Sequence, residues 1–324
     1  MAADSKEAVT GVVSSLWRYP VKSMQGERVE RAEVTERGLS GDRAYALVET
    51  ASDKIVSAKN PRKWAKVLRC RASFVGEPRA GAAAPEVRIT FPSGQSVTSA
   101  DANVDAVLSA ELGHGVSLKR VSGTAPVFDQ MEAEGVSARG GMIKTEPMGL
   151  GSAPGMFFDF APVHILATNT LDRLSRAYPQ GRFDVLRFRP NIVLTIPPEG
   201  TVEPERIWPG MTFQLGAALR VNIVIPSPRC VMTTLDQAAL PNDPGILRTI
   251  ADHNLAYVTP LLKELPSVGV YGLVEQAGTV RVGDPLAAGP TTLFRKSMFW
   301  WTLARNLTRR SLPVLTRPFF ARSS

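Results

Sequence analysis

Apolar and polar positions along the first hundred residues follow the spacing of short β-strands separated by turns. Residues 9–19 are rich in β-branched and aromatic side chains and end at a proline. Residues 29–35 alternate apolar with charged positions, as a half-buried strand does. One helix is predicted over residues 101–112, between an acidic N-cap and Gly113. Strands at this spacing, with few helices, favour a small barrel or sandwich.

The second half of the chain is predicted to form another β-rich domain. A glycine-rich stretch at residues 122–162 precedes it, and a stretch of that length without regular structure is usually functional or a linker. Strands are then predicted over 163–167, 185–196 and 213–225, helices over 171–178 and 244–265, and a closing hairpin over 269–275 and 279–282. Residues 168–170 are predicted to cap the first of these helices. The pattern therefore predicts two β-rich domains with a cleft between them.

The composition is that of a folded protein. The chain has 324 residues, of which 44% are hydrophobic and 21% are charged, and this excludes disordered and polytopic membrane proteins. The net charge is +8, but seven of the 38 basic residues and none of the 30 acidic residues lie in residues 291–324. Because the remainder is nearly neutral, we expect no nucleic-acid partner. The sequence contains neither a secretory signal nor an apolar stretch long enough to span a bilayer, so we expect a cytoplasmic location.

The basic C-terminal tail has the pattern of an amphipathic helix. At about 100° per residue, apolar side chains that include Trp300 and Trp301 fall on one half of the helix, and Arg295 and Arg309 fall on the other. A basic helix with tryptophans on its apolar face is typical of a segment that contacts a membrane surface or docks on a partner. The alternative is a segment that packs against its own domains or stays solvated, and the pattern leaves both open.

The sequence offers few residues for the common enzyme chemistries. It has two cysteines, three dispersed histidines, no glycine-rich nucleotide loop and no zinc-ligand spacing. This disfavours nicotinamide, nucleoside triphosphate and zinc enzymes, and two cysteines cannot form a disulfide framework. Cys70 alternates with charged residues and is expected in the core. Cys230 follows a strand end and stands beside Arg229, which favours a reactive thiolate. The alternative for Cys230 is a buried small apolar residue.

Several segments together resemble a known family. They are WRYPVKSMQGE at 17–27, GLSGDRAYALV at 38–48, GMFFD at 155–159, FRPNIV at 188–193, SPRCVMTTLD at 227–236 and GTVRVGDP at 278–285. In this order they resemble the MOSC-domain family with its associated N-terminal β-barrel domain. Within the family they are most similar to the mitochondrial amidoxime-reducing components and their bacterial relatives of the YcbX type.

The resemblance implies a fold and a division of the chain. The expected class is α+β and mostly β, with an N-terminal β-barrel-like domain and a C-terminal MOSC β-barrel that carries peripheral helices. The expected boundaries place the first domain at residues 9–125, the MOSC domain at 126–288 and a basic amphipathic tail at 289–324.

The resemblance also implies a molybdenum cofactor, Mo-molybdopterin, with Cys230 as the protein ligand of the metal. The expected cofactor contacts are Lys22, Ser23, Arg43, Thr168, Asn169, Arg189, Asn191, Ser227 and Arg229. These residue types suit the role, because a soft thiolate matches a sulfur-bound metal and a phosphate is bound by cations and hydroxyls. Asp236 is either a proton donor or orienting group, or a cap of the local turn. The family is also associated with pyridoxal phosphate binding.

The implied activity is oxygen-atom transfer, namely the reduction of a small N-hydroxylated substrate. Two cysteines cannot hold a four-cysteine iron–sulfur cluster, so the electrons are expected from a separate flavoprotein, ferredoxin or cytochrome. Two other functions stay open. The chain could be a non-catalytic carrier of the cofactor or of a persulfide on Cys230, or a binding module that keeps the fold without the chemistry.

Overall fold

A computed structural model describes residues 9–120, 127–131, 143–147, 157–197, 204–258 and 263–290. The strands of the first part are β1 (Val9–Arg18), β2 (Glu27–Val29), β3 (Arg31–Thr35), β4 (Gly38–Leu39), β5 (Tyr45–Glu49), β6 (Arg71–Phe74), β7 (Val87–Thr90), β8 (Ser96–Thr98), β9 (Val116–Arg120), β10 (Val127–Met131) and β11 (Ile143–Pro147). The helices there are α1 (Pro61–Trp64), the short 3-10 helix Ala65–Arg69 and α2 (Val104–Leu112).

The second part adds eight strands and four α-helices within the described ranges. The strands are β12 (Val163–Ala167), β13 (Ile192–Thr195), β14 (Met211–Leu215), β15 (Leu219–Pro228), β16 (Leu255–Val258), β17 (Lys263–Gln276), β18 (Gly278–Arg281) and β19 (Pro285–Pro290). The helices are α3 (Thr168–Ala177), α4 (Val185–Phe188), α5 (Pro204–Ile207), the 3-10 helix Val231–Thr234 and α6 (Pro244–His253). The mostly β prediction is confirmed.

Seven strands close into a barrel in the order β12, β13, β1, β19, β14, β15 and β17, with β17 pairing back onto β12. Closure removes the unpaired sheet edges that would otherwise invite association. The interior is filled by aliphatic and aromatic side chains from every strand, among them Leu16, Ile165 and Phe213. Trp208 packs edge-on against Phe213, with ring centroids 5.0 Å apart. This cluster is the main hydrophobic core.

The first strand of the chain belongs to this barrel, although the sequence places it in the N-terminal domain. β1 pairs antiparallel with β13 on one side and with β19 on the other, and β3 pairs with β18. Strands from both sides of the boundary expected between residues 125 and 126 therefore form one barrel wall. Leu16 and Val34 sit in the same core as the C-terminal strands.

A second core lies between the small sheets of the N-terminal part. β5 pairs with β9, and β6, β7 and β8 form a three-stranded sheet. Buried side chains from these strands and from α2 pack together around Tyr45, Trp64 and Leu108. Cys70 is 1% exposed within this core, as expected of a structural cysteine. Gly113 ends α2 in the left-handed conformation (φ 76°), which confirms the predicted stop.

Several sequence-based predictions of local structure are wrong, each because tertiary contacts override the pattern. The strand predicted at 185–196 begins as α4, because Asp184 accepts a hydrogen bond from the Leu186 N–H and starts a helical turn. Residues 213–225 form two strands of a hairpin, β14 and β15, instead of one strand.

Three further predictions fail near helix ends and at the C-terminal strands. The helix predicted at 244–265 ends at His253, and β16 follows it. The N-cap of α3 is Ala167, without a side-chain capping bond, instead of residues 168–170. The predicted closing hairpin is absent from the described strands, because β17 pairs with β15 and β12 while β18 pairs with β3.

The described helices include none with the length and apolarity needed to cross a bilayer. The amphipathic tail predicted at 291–324 lies outside the described residues.

A buried carboxylate ties the barrel together where β12 and β17 diverge. Glu205 on α5 accepts hydrogen bonds from the Ala167 N–H at 2.7 Å and the Gly269 N–H at 2.6 Å. The last regular pair of the two strands is Ile165 with Val270, so Ala167 and Gly269 lie just beyond the paired region. Glu205 therefore supplies the acceptors that the missing ladder would have provided, and burial raises its pKa to about 7.

We predict that Glu205→Ala lowers the free energy of unfolding by about 2–5 kcal/mol, because two buried N–H groups lose their acceptors. Urea unfolding measures this, with the exposed Glu264→Ala as the matched control. Since the folded pKa is raised, the stabilisation is full below about pH 4.5, the ordinary value, and declines as the pH rises through about 7. A pH-independent difference would show that folding does not shift the pKa of this carboxyl.

Candidate cofactor site

Two arginines in strained backbone positions lie over one buried tyrosine. Arg189 ends α4 in the left-handed conformation (φ 56°), and its guanidinium donates to the Met24 carbonyl. Arg43 also has a positive φ of 49°, and it pairs with the buried carboxylate of Asp42. The guanidinium carbons lie 4.3 Å (Arg189) and 5.2 Å (Arg43) from the centroid of the Tyr19 ring. Left-handed non-glycine residues are uncommon and cluster at functional sites.

The charge of Arg189 is poorly compensated. Burial, followed by the nearby charge of Arg43, lowers the pKa of Arg189 to about 10. For Arg43, burial also opposes the charge, but the carboxylates of Asp42 and Asp159 outweigh it and raise its pKa. An additional anion bound near Arg189 would offset the repulsion between the Arg189 and Arg43 guanidinium groups.

A carboxylate bridges a buried lysine and a partly buried lysine beside the arginines. Lys22 forms an ion pair with one oxygen of Asp159, and the Lys59 Nζ lies 3.2 Å from the other. Both ammonium groups lie over the Phe128 ring, 5.2 Å (Lys22) and 4.9 Å (Lys59) from its centroid. Burial lowers the pKa of Lys22 to about 8 despite the attraction of Asp159. Two lysines share one counter-ion in this arrangement.

Ser23 holds the loop that carries Lys59. Its backbone adopts a positive φ of 63°, and its hydroxyl accepts a hydrogen bond from the Ala58 N–H at 3.2 Å. The neighbouring Lys22 is fixed through its own N–H, which donates to the Tyr45 carbonyl at 2.9 Å. The KS pair of the YPVKS segment therefore positions both lysines, one directly and one through residues 57–59.

Cys230 lies at the edge of this cluster on the turn after β15. It is half-buried, in contrast to Cys70, and it precedes the 3-10 helix Val231–Thr234. Thr233 fixes the turn by donating from its N–H and its hydroxyl to the Cys230 carbonyl, at 3.1 and 3.0 Å. For Lys59, burial opposes the charge, but Asp159 and then the Cys230 sulfur raise its pKa above the usual range. The thiol therefore lies next in the chain to Arg229 and within the electrostatic influence of Lys59.

Arg229 lies in the same cluster beside a neutral histidine, His164. Its guanidinium donates to the Ser227 hydroxyl and to the Phe188 carbonyl, both at 2.8 Å. The His164 Nε2 lies 3.4 Å from the Arg229 Nη1, and the His164 Nδ1 lies 3.4 Å from the Arg189 carbonyl. Burial, then the charge of Arg229, lowers the pKa of His164 well below its ordinary value. Neutral His164 can donate from Nδ1 to the Arg189 carbonyl or from Nε2 to the Val268 carbonyl at 3.3 Å, and only the first tautomer lets Nε2 accept from Arg229.

Asn191 is buried and uses its amide to hold strands in place. Its Oδ1 accepts from the His164 N–H at 3.1 Å, and its Nδ2 donates to the Trp17 carbonyl at 3.4 Å. Its backbone carbonyl accepts from the Trp17 N–H at 2.9 Å. These bonds connect β1, β12 and the start of β13. Asn191 therefore holds Trp17 of β1 and His164 of β12 in place on either side of it.

Three of the expected site residues lie away from this cluster. Thr168 contacts Thr195, and Asn169 bonds to Ile196 with both ends of its amide. Since β12 and β13 run parallel, this pair lies at the other end of the strands from Asn191, roughly 13 Å away at about 3.3 Å per residue. Asp236 is 53% exposed on the surface, with its Oδ2 3.8 Å from the Arg69 Nε.

The remaining cluster carries more positive than negative charge. Its cations are Lys22, Arg43, Lys59, Arg189 and Arg229, and the carboxylates that form ion pairs with them in the described residues are Asp42 and Asp159. Two buried polar atoms, the Tyr19 hydroxyl and the Arg229 Nε, lack a hydrogen-bond partner within those residues. A buried donor without a partner is costly and calls for an explanation, such as a bound ligand, ion or water. Cations, hydroxyls and a half-buried thiol together fit a phosphate-bearing cofactor with a thiolate-bound metal.

Sequence reasoning missed four residues that build this site. Lys59, Asp42 and Tyr19 gave no separate signal, although Asp42 and Tyr19 lie within the segments that carry the resemblance. Asp159 ends the GMFFD segment, and its position in that segment could have marked it. Pairing of Asp159 with lysines 137 and 100 positions earlier depends on the fold alone.

Comparison with known proteins identifies a family for both parts of the chain. Residues 10–102 match the family model of the MOSC N-terminal beta barrel domain, and residues 153–287 match that of the MOSC domain. Mitochondrial amidoxime reducing component 2 of Rattus norvegicus is 25% identical over 294 residues, covering 85% of this chain and 82% of that protein. The Homo sapiens protein of the same name is 26% identical over 299 residues, covering 85% and 83%.

A solved structure, the YuaD protein of Bacillus subtilis, superposes with a TM-score of 0.43 at 10% identity, covering 88% of this chain and 99% of that one. The family assignment rests on the two domain matches.

We predict that Asp159→Asn lowers the free energy of unfolding of the cofactor-free chain by about 1–3 kcal/mol at pH 7, since two lysines lose their shared carboxylate. The pKa of Asp159 is held far below its ordinary value, so the wild-type advantage is present above about pH 4 and lost as the pH falls further. Urea unfolding measures it, with the exposed Asp172→Asn as control.

Adding Lys22→Met to Asp159→Asn should restore part of the loss, because one of the two uncompensated charges is then removed. Additive losses would show that Asp159 does not act as the counter-ion of Lys22.

Proposed function

The chain belongs to the MOSC-domain family, and from this premise we propose that it is a molybdenum-cofactor-dependent oxidoreductase that reduces N-hydroxylated compounds. The observation that carries the proposal is a half-buried thiol, Cys230, at the edge of a buried cluster with excess positive charge. The amidoxime-reducing names of the similar mitochondrial proteins support the substrate class.

The residues of the cluster divide into two groups by what they would hold. Lys22, Arg43 and Arg189 would bind the phosphate and pterin, since cations with fork geometry and an ammonium suit a phosphate. Ser23 and Asn191 would position their neighbours through backbone bonds. Cys230 would ligate the metal through its sulfur, since a soft sulfur ligand suits a sulfur-bound metal.

The bound cofactor would supply the two-electron redox chemistry at molybdenum. In the net reaction the N–O bond of the substrate breaks, and two electrons and two protons yield an N–H group and one water. The protein would bind and orient the substrate beside Cys230. Lys22, whose pKa lies at about 8, is a buried group that can hold a proton near neutral pH.

The placement of Thr168, Asn169 and Asp236 argues against direct roles in this proposal. Thr168 and Asn169 would act at the barrel's other end, where they fix α3 to β13. Asp236 faces solvent beside Arg69. A proton released from Asp236 would therefore have to pass around the turn to reach the Cys230 thiol. Lys22 and Lys59 take the place of Asp236 as the proton-holding groups of the proposed site.

We predict that protein from a cofactor-competent host holds about one molybdenum per chain and that Cys230→Ala loses it. The reason is that the variant lacks the proposed metal ligand, while the buried Cys70→Ala serves as the thiol control that keeps the metal. Elemental analysis and the visible absorption spectrum measure the outcome. A persulfide on Cys230 without metal would contradict the proposal and support a sulfur carrier instead.

We also predict that the purified chain does not couple NADH oxidation to substrate reduction. A panel of N-hydroxylated compounds should be reduced only when an artificial one-electron donor or a separate redox protein is added, because the sequence has too few cysteines for a cluster of its own. Product formation with NADH alone would contradict a requirement for a partner.

A further inference from the structure

One buried hydroxyl at the centre of the cluster has no hydrogen-bond partner. Tyr19 is 1% exposed, and its hydroxyl finds no partner among the residues that the structure describes. Tyr45 is as deeply buried, yet its hydroxyl donates to the Pro85 carbonyl at 2.9 Å and accepts from Arg120 at 2.9 Å. Buried tyrosine hydroxyls usually have a partner, so the two tyrosines present a contrast within one chain.

The Tyr19 ring is fixed where it lies. Its N–H donates to the Asp42 Oδ1 and its carbonyl accepts from the Arg43 N–H, both at 2.7 Å. Guanidinium groups of Arg43 and Arg189 lie over the ring. A hydroxyl held in this way cannot turn outward to reach water. It is therefore held in one position beside the two guanidinium groups.

The charged groups around the Tyr19 hydroxyl favour the binding of an anion. Three arginines, Arg43, Arg189 and Arg229, act on Tyr19 electrostatically, and the Arg229 Nε is a second buried donor without a partner among the described residues. Burial raises the pKa of Tyr19, so the hydroxyl stays protonated and able to donate. Donors and cations in one enclosed place match the oxygens of a phosphate.

We propose that Tyr19 contacts the ligand directly, with its hydroxyl donating a hydrogen bond to a phosphate oxygen bound between Arg43 and Arg189. The inference deepens the proposed function and rests on it, since the phosphate would be that of the cofactor. It assigns to Tyr19 a binding role that its surroundings otherwise leave unexplained. The aromatic ring would serve a second purpose as the surface on which both guanidinium groups rest.

The test compares Tyr19→Phe with Tyr45→Phe in chain made without cofactor. Tyr19→Phe keeps the ring and removes only an unpaired hydroxyl, so its Tm should stay unchanged or rise by a few degrees. Tyr45→Phe removes a paired hydroxyl, so its Tm should fall by a few degrees. A fall in Tm for Tyr19→Phe equal to that of Tyr45→Phe would overturn the inference, since it would show a structural partner.

Binding of inorganic phosphate, measured by calorimetry, gives the second readout. We expect Tyr19→Phe to raise the Kd by about tenfold or more, which is the loss of one charge-assisted hydrogen bond, and Tyr45→Phe to leave the Kd unchanged. An unchanged Kd for Tyr19→Phe would mean that only a water meets the hydroxyl and would overturn the inference.

Molybdenum content separates this inference from the proposed function. If wild-type chain from a competent host holds no molybdenum while phosphate binding still depends on Tyr19, the proposed function fails and the Tyr19 contact stands. If wild type holds molybdenum and Tyr19→Phe holds as much with the same phosphate Kd, the function stands and the Tyr19 contact is wrong.

Discussion

Positive charge that is buried without enough counter-charge constrains the whole site. Five cationic side chains converge on two carboxylates, and burial lowers the pKa values of Lys22 and Arg189 because this counter-charge does not offset it. Charges taken out of water are costly unless they are paired, so the surrounding fold has to hold them in place. A bound anion would supply the missing counter-charge, and relief of the unfavourable energy of the buried cations would favour its binding. The same feature that destabilises the ligand-free chain would favour the phosphate-bearing ligand proposed above.

The barrel holds these charges because the first strand of the chain runs through its wall. β1 pairs with β13 and β19, and the chain leaves β1 directly into Tyr19 and Lys22. Asn191 connects the same strand to β12 and to the turn that carries Arg189. Cations from the two ends of the sequence thus meet at one end of a closed barrel. Both parts of the sequence therefore contribute residues to the candidate site.

The family resemblance alone is enough to identify most of the cluster. Lys22, Arg43, Arg189, Arg229 and Cys230 all converge, because each lies in a segment with a specific residue order. The structure places Thr168 and Asn169 at the other end of the paired strands, and a capping pattern carries no information on where distant site residues lie. The apolar pattern also misses the helical turn of α4, because it takes no account of the Asp184 cap that bends four β-prone residues.

The sequence by itself determined the kinds of groups available and the strands that carry them, because side-chain chemistry and apolar alternation are local properties. The tertiary structure decided which of those groups share a counter-ion, as Lys22 and Lys59 share Asp159, and which are left unpaired among the described residues, as the Tyr19 hydroxyl is. Pairing and burial depend on residues about a hundred or more positions apart in the chain. No local pattern records such contacts, and so the site's charge balance is a property of the closed barrel.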